Sequence, residues 1–236
     1  HEFPANVYPW LRAAAAGGPE VRLVDCPDFR VTPDRLAPAV DAATRAVAVS
    51  LVDFVTGFRA DPAQLHEAFP GPLLVVDAMQ GLGAVAAALD PADVLVAGGQ
   101  KWLRAGWGSG IMAVGERALE RLAPTLTGWW GVEHYLDFET PPPHPIRPTA
   151  GRFQEGSPPY FGTLQTGAAA EIIELAGITA IEAAVLERAV AVERGCRREP
   201  RRRPAWPART GRGTSRAVHV PVGPGSIAPR PGRGGG

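Results

Sequence analysis

Four short apolar runs, separated by helix-like segments, constrain the fold of this chain more than any other feature of its sequence. The runs are AVAVSLV at 46–52, LLVVDA at 73–78, DVLVAGG at 93–99 and GIMAV at 110–114. Unbroken apolar and β-branched runs of this length are typical of strands in a parallel sheet that is covered on both faces. Strands that alternate with helices predict an α/β domain with a mainly parallel sheet flanked by helices.

Helix starts are marked by a capping residue followed by proline. Thr32-Pro33 and Asp61-Pro62 both have this pattern, and they predict helices that continue to about Asp41 and about Phe69. From Trp129 to Pro159 the chain is rich in proline and aromatic residues, and no regular element is predicted there. Three further helices are predicted over 116–123, 164–176 and 178–193.

The composition changes abruptly near the end of the last predicted helix. Residues 1–193 form the predicted domain, whereas 194–236 are rich in arginine, proline and glycine. A segment with so little apolar surface cannot offset its chain entropy, so a disordered tail is expected. Two alternatives are a basic arm that binds RNA or DNA and a stretch produced by a frameshift in a GC-rich gene. The nucleic-acid partner is favoured least, because the spacing of an RNA-binding motif is missing.

Several function classes are disfavoured by the bulk sequence. No run of about 18 apolar residues is present, so no membrane span is predicted. The two cysteines, Cys26 and Cys196, are far apart and form no metal-ligand pair, so no metal site is expected. A reducing cytoplasm is the default location for such a chain.

Lys101 is the only lysine in a chain with 24 basic residues. It follows the run at 93–99, while Asp77 closes the run at 73–78 and Gln80 comes three residues later. Ligands of open α/β sheets bind at the carboxyl ends of the strands. A lysine amine can form a Schiff base there, which arginine cannot do. Pyridoxal phosphate (PLP) also needs a carboxylate opposite its ring nitrogen, so the pattern predicts a PLP site.

The spacing alone leaves ordinary alternatives open. A lone lysine is usually a solvated surface residue, and a GC-rich gene favours arginine codons at the other basic positions. An aspartate at the end of a strand is often only the cap of the following helix.

Three stretches of the sequence resemble the class V aminotransferase family of PLP-dependent enzymes. VDAMQGLGAVAAALDPADVLVAGGQKWLRAGWGSGIMAV is similar to its cofactor-binding core, EFPANVYPWL to the segment with the ring-stacking residue, and RFQEGSPPYFGTLQTGAAAE to the stretch after the active-site loops. The family includes cysteine desulfurases, selenocysteine lyases, kynureninases and isopenicillin N epimerases. The resemblance covers residues 1 to about 193. It implies an aspartate-aminotransferase-like large domain, truncated at both ends, with the small C-terminal domain missing or scrambled.

The resemblance also implies roles for individual residues. Lys101 corresponds to the Schiff-base lysine, Asp77 to the partner of the pyridine nitrogen, and Gln80 to a hydrogen-bond partner of the phenolic oxygen. Phe3 falls where the family places a ring over the pyridine face, although it could equally be a core aromatic. Ser157 falls where a Thr or Ser reaches the phosphate bound by the neighbouring subunit, or it is simply a turn residue.

Some positions depart from the family pattern. Gln100 replaces a phosphate-contacting His, Gly98 replaces a Ser, and Phe54 replaces an Asn near the phenolic oxygen. Neither Cys26 nor Cys196 falls where a desulfurase has its nucleophile, which weakens that particular assignment.

The family resemblance implies an enzyme that acts on an amino-acid substrate. The reaction would proceed through a lysine Schiff base and deprotonation at Cα, with an aminotransferase, epimerase or lyase outcome left open. A cytoplasmic homodimer is expected. The alternative is a truncated, inactive family member that keeps the fold without the cofactor.

Overall fold

The structure is a computed structural model that describes the backbone of residues 2–198 and the side chains of residues 2–195. Most of the arginine-rich segment at 194–236 lies outside the described residues, so the expectations for that segment stay predictions. The described residues form one sheet with helices packed around it.

All four apolar runs form strands. The strands are β1 (Ala46–Ser50), β2 (Leu73–Asp77), β3 (Val94–Gly98) and β4 (Gly110–Val114). They lie side by side in the order β1-β2-β3-β4, with β1, β2 and β3 parallel. In this register Asp77, the last residue of β2, pairs with Ser50 on one side and with Val96 on the other.

The last strand, β4, is antiparallel to β3. A parallel connection needs a crossover of about a dozen or more residues, usually a helix. The segment 99–109 is shorter than that and contains no helix. The chain therefore turns back on itself after Lys101, and the sheet is mainly rather than wholly parallel.

Six α-helices lie within residues 2–198, the part of the chain that the structure describes. They are α1 (Tyr8–Ala15), α2 (Pro33–Leu36), α3 (Pro62–Ala68), α4 (Glu116–Arg121), α5 (Tyr160–Ala176) and α6 (Ile178–Arg198). The start of α3 is the one predicted, because the Asp61 carboxylate accepts hydrogen bonds from the backbone N–H groups of Ala63 and Gln64 at 3.0 and 3.2 Å. These bonds satisfy two of the N–H groups that have no partner within a helix.

Other helix boundaries differ from the predictions. Helix α2 ends at Leu36 rather than Asp41, because the ring of Pro38 conflicts with continued helix and its nitrogen has no hydrogen to donate; a short 3-10 turn follows. Helix α1 was missed entirely. Helix α6 continues past Glu193 to Arg198. Between residues 129 and 159 the only helical pieces are two 3-10 turns, as the proline-rich composition predicts.

The core lies between β1, β2, β3 and α3. Its largest fully buried side chains are Leu51, Leu65 and Val76, and they belong to one apolar cluster that includes residues of all four elements. Burial of apolar surface is the main force that fixes these elements against one another. The carboxyl ends of β2 and β3 therefore form a rigid edge on which polar side chains can be placed.

Helix α6 is tied to this core by an ion pair. Arg59, which forms a bridge with Val52 just beyond β1, donates to the Glu182 carboxylate of α6 at 2.7 Å and also to the backbone carbonyl of Ala86. No helix among residues 2–198 is long and apolar enough to cross a membrane.

Candidate active site

Asp77 is partly buried at the carboxyl end of β2. Its Oδ1 atom accepts a hydrogen bond from the backbone N–H of Met79 at 2.9 Å, whereas Oδ2 forms no hydrogen bond with the described residues. Burial raises the pKa of the Asp77 carboxyl, and the negative charge of Glu2 raises it further. The Met79 N–H and the positive charge of Lys101 oppose this shift.

Lys101 lies just beyond β3, the strand next to Asp77. Its Nζ atom is 5.7 Å from the centre of the Phe3 ring, over which it is placed. The amine forms no ion pair with a carboxylate of the described residues. Its positive charge opposes the rise that burial causes in the pKa of the Asp77 carboxyl. The fold therefore brings Lys101, Asp77 and Phe3 to one place.

Phe3 is not a core aromatic. Its side chain keeps 45% of its surface exposed, and its ring meets Phe54 edge-on with 5.3 Å between ring centres and an angle of 83°. Edge-to-face contact of this kind is a favoured arrangement of aromatic pairs. Phe54, the residue that replaces the Asn of the family pattern, thus supports Phe3 and offers no hydrogen bond.

Gln80 and Gln100 lie in the turns that follow β2 and β3, and both are partly buried. A Cβ atom on Gly98 would overlap Oε1 of Gln100 and would lie 2.7 Å from Cε of Met79. Gln100 therefore occupies the space that the Ser of the family pattern would need. The Gly98 N–H donates to the sulfur of Met79 at 3.4 Å, which links the end of β3 to the turn after β2.

Ser157 is exposed in the loop before α5. Within the part of the chain that the structure describes, its side chain forms no hydrogen bond, and nothing places it beside Lys101. Its role at the phosphate of a neighbouring subunit stays a prediction.

Glu2 is a site residue that the sequence did not reveal. Its carboxylate accepts hydrogen bonds from the backbone N–H of Ser50 at 2.8 Å and from the Ser50 hydroxyl. Ser50 is the register neighbour of Asp77, so Glu2 reaches the same edge of the sheet. The contact joins residues 48 positions apart, and no local pattern could have predicted it.

The polar atoms of the site fit the ring of PLP. Asp77 Oδ2, the Gln80 amide and Lys101 Nζ are all without hydrogen-bond partners among residues 2–198, so each is available to a ligand. Phe3 supplies an exposed aromatic face beside them. A carboxylate for the ring nitrogen, a donor for the phenolic oxygen and an amine for the aldehyde are the groups that this cofactor needs.

A cavity of about 550 Å³ lies elsewhere, between the outer edge of β1 and the extended segment 19–24. Glu2 and Ser50 line its rim, whereas Asp77 and Lys101 do not. Its walls are mostly apolar and include no lysine.

The fold of the described residues is similar to that of solved PLP-dependent enzymes. Two solved structures of the cystine C-S lyase C-DES carry this likeness. One is the complex with its reaction product, cysteine persulfide, with a TM-score of 0.74 and 20% identity over 84% of this chain and 55% of that one. The other is a variant with glycine covalently linked to its PLP cofactor, with a TM-score of 0.70 and 20% identity over 84% and 54%.

The chain belongs to the aminotransferase class-V family, whose model matches residues 1–204. It is 30% identical over 172 residues to isopenicillin N epimerase of Streptomyces clavuligerus. The aligned region covers 70% of this chain and 41% of the epimerase. It is 29% identical over 143 residues to kynureninase of Myxococcus xanthus (strain DK1622), which covers 58% of this chain and 34% of the kynureninase. The chain thus spans less than half the length of these curated relatives.

The cysteines offer no nucleophile in the described part of the molecule. Cys26 is buried, and burial raises the pKa of its thiol. A buried thiol with a raised pKa is a poor nucleophile, because the reactive form is the thiolate. The side chain of Cys196 lies outside the part of the chain whose side chains the structure describes.

Proposed function

We propose that this chain is the PLP-binding part of an enzyme that acts on an amino-acid substrate. One observation carries the proposal. The only lysine of the sequence lies at the end of β3 with its amine against the Phe3 ring, and its charge acts on Asp77 at the end of β2. Family membership and the fit of the free polar atoms to PLP support it.

Lys101 has two tasks in this proposal. Its amine would hold the cofactor covalently, and with a substrate bound its Nζ atom would take the proton from the substrate Cα. Arginine could do neither, because it stays protonated in proteins. PLP, when bound, supplies the electron sink that stabilises the negative charge left at Cα.

The other residues bind and orient the cofactor. Asp77 would pair with the ring nitrogen through Oδ2, and Gln80 would donate to the phenolic oxygen. A positive ring nitrogen favours the ionised form of Asp77, as the charge of Lys101 already does. Phe3 would cover one face of the ring.

The phosphate is assigned to two further residues. Gln100, one position before the lysine, would donate a hydrogen bond from its amide. Ser157 would reach the phosphate bound by a second copy of the chain, so the proposal includes a homodimer. The proposed location of the enzyme is the cytoplasm.

The class of reaction is proposed only as far as loss of the Cα proton. Transamination, epimerisation and elimination all follow from that step, and the contacts made to the substrate decide between them. The competing proposal is a family member that keeps the fold but binds no cofactor.

The experiment is a titration of the purified chain with PLP, followed by visible absorption, for the wild type and for Lys101→Arg. The substitution keeps the positive charge near the Phe3 ring but cannot form a Schiff base. We expect a saturable change of the absorption band in the wild type and none in the variant. Identical spectra for the two proteins would favour the inactive alternative.

A further inference from the structure

Glu2 accepts three hydrogen bonds, two of them from Ser50 in the sheet. Its Oε1 atom accepts from the backbone N–H of Ser50 at 2.8 Å, and Oε2 accepts from the Ser50 hydroxyl and from the side-chain amide of Asn6 at 3.2 Å. Charge-assisted bonds of this kind are about twice as strong as neutral ones. The segment around residue 2 is therefore anchored to the last residue of β1.

This anchor places a second carboxylate near Asp77. Ser50 and Asp77 are register partners on neighbouring strands, and burial and then the charge of Glu2 raise the pKa of Asp77. Two carboxylates at one sheet edge repel each other. The hydrogen bonds that Glu2 accepts from Ser50 and Asn6 offset that repulsion. They therefore keep Glu2 in place although its charge is close to that of Asp77.

Phe3 has little freedom between its two neighbours. Glu2 is fixed to Ser50 on one side, and Pro4 starts a 3-10 turn on the other. The residue before a proline is restricted to extended backbone, and Phe3 has this conformation, with φ −61° and ψ 141°. The ring is then supported edge-on by Phe54, which leaves its face directed at the Lys101 amine.

We propose that Glu2 is a positioning residue: by its hydrogen bonds to Ser50 it holds the Phe3 ring over the amine of Lys101. The inference rests on the proposed function, because the value of this arrangement is to keep an aromatic face over the cofactor that Lys101 binds. Glu2 itself does not touch the reacting atoms.

The test uses the fact that the chain has a single lysine. Reductive methylation with ¹³C-formaldehyde labels only Lys101 and the terminal amine, which give separate NMR signals. The Phe3 ring shifts the Lys101 methyl signals upfield, and Phe3→Leu defines the position without that ring. All of these spectra are recorded without PLP.

We expect Glu2→Ala to move the Lys101 signals to the Phe3→Leu position. Glu2→Gln is the matched control, since its side-chain carbonyl can still accept from the Ser50 N–H, and it should keep the wild-type position. If Glu2→Ala fails to fold, Ser50→Ala replaces it and should lose part of the upfield shift. Wild-type signal positions in Glu2→Ala, or in its replacement, would overturn the proposal.

A second measurement separates this inference from the proposed function. We expect the dissociation constant for PLP to rise about tenfold in Glu2→Ala, with Lys101 still the residue that binds the cofactor. If the wild type binds no PLP, the proposed function fails while the cofactor-free spectra still decide the role of Glu2. An unchanged dissociation constant together with an unchanged spectrum would reject the role of Glu2 alone.

Discussion

The amine of Lys101 lies over the ring of Phe3, 5.7 Å from its centre. The two residues are almost a hundred positions apart, and they meet because the segment at the start of the chain is anchored to β1 while Lys101 follows β3. A cation over an aromatic face is an attractive contact. The same geometry leaves a flat surface beside the amine, which suits the ring-shaped cofactor of the proposal.

Asp77→Asn should make the cofactor-free protein more stable at neutral pH. Burial raises the pKa of Asp77 in the folded state, so the folded protein binds a proton more tightly than the unfolded chain does. The charged carboxylate therefore destabilises the fold increasingly as the pH rises from about 4, the value in unfolded chains, through the folded pKa. Asparagine removes this penalty and can still accept from Met79.

The measurement is denaturant unfolding of both proteins between pH 4 and pH 7. The advantage of the Asn variant should be smallest at pH 4 and should grow towards pH 7. If the two proteins differ in free energy of unfolding by the same amount at every pH, the charge of Asp77 does not destabilise the fold.

Phe3 and Phe54 should be energetically coupled. Edge-to-face aromatic pairs contribute roughly 0.5–1.5 kcal/mol beyond the area that they bury. A double-mutant cycle with Phe3→Leu, Phe54→Leu and the double variant should give a coupling free energy of unfolding of about that size. Strictly additive effects would show that the two rings do not support each other.

Two glycines should respond to alanine in opposite ways. A Cβ on Gly128 would overlap the backbone carbonyl of Glu155, so Gly128→Ala should lower the free energy of unfolding by about 3 kcal/mol or more. Gly167 lies inside α5 with open space around it, and Gly167→Ala should raise that free energy by roughly 0.5–1 kcal/mol. Thermal unfolding of both variants checks the pair, and equal effects would contradict the close approach at residue 128.

Local sequence signals account for much of this fold. The four apolar runs became strands, and Asp61-Pro62 began a helix, because both depend on neighbouring residues only. The mainly parallel sheet was predicted correctly, but no direction was predicted for β4, since it depends on the length of a connection and not on the strand itself. The early end of α2 could have been read from Pro38, whose effect on a helix is local.

The site was predicted less completely than the fold. Asp77, Gln80 and Lys101 follow strands whose ends share one edge, and their placement needed only the order of the elements. Glu2 and the Phe3–Phe54 pair depend on contacts between distant parts of the chain, and they could be seen only after folding. The cofactor-binding roles of all the predicted site residues stay predictions. Those of Gln100 and Ser157 depend in addition on the phosphate, and that of Ser157 depends on a second subunit.

The central claim is that Lys101 binds PLP covalently. Its most direct test is borohydride reduction of the PLP-treated chain, followed by digestion and mass spectrometry of the peptides. We predict that the pyridoxyl group is found on the peptide that contains Lys101, in an amount that saturates with PLP and that is lost in Lys101→Arg. Label only at the terminal amine, or no label at all, would contradict the claim and leave a family member that keeps the fold without the cofactor.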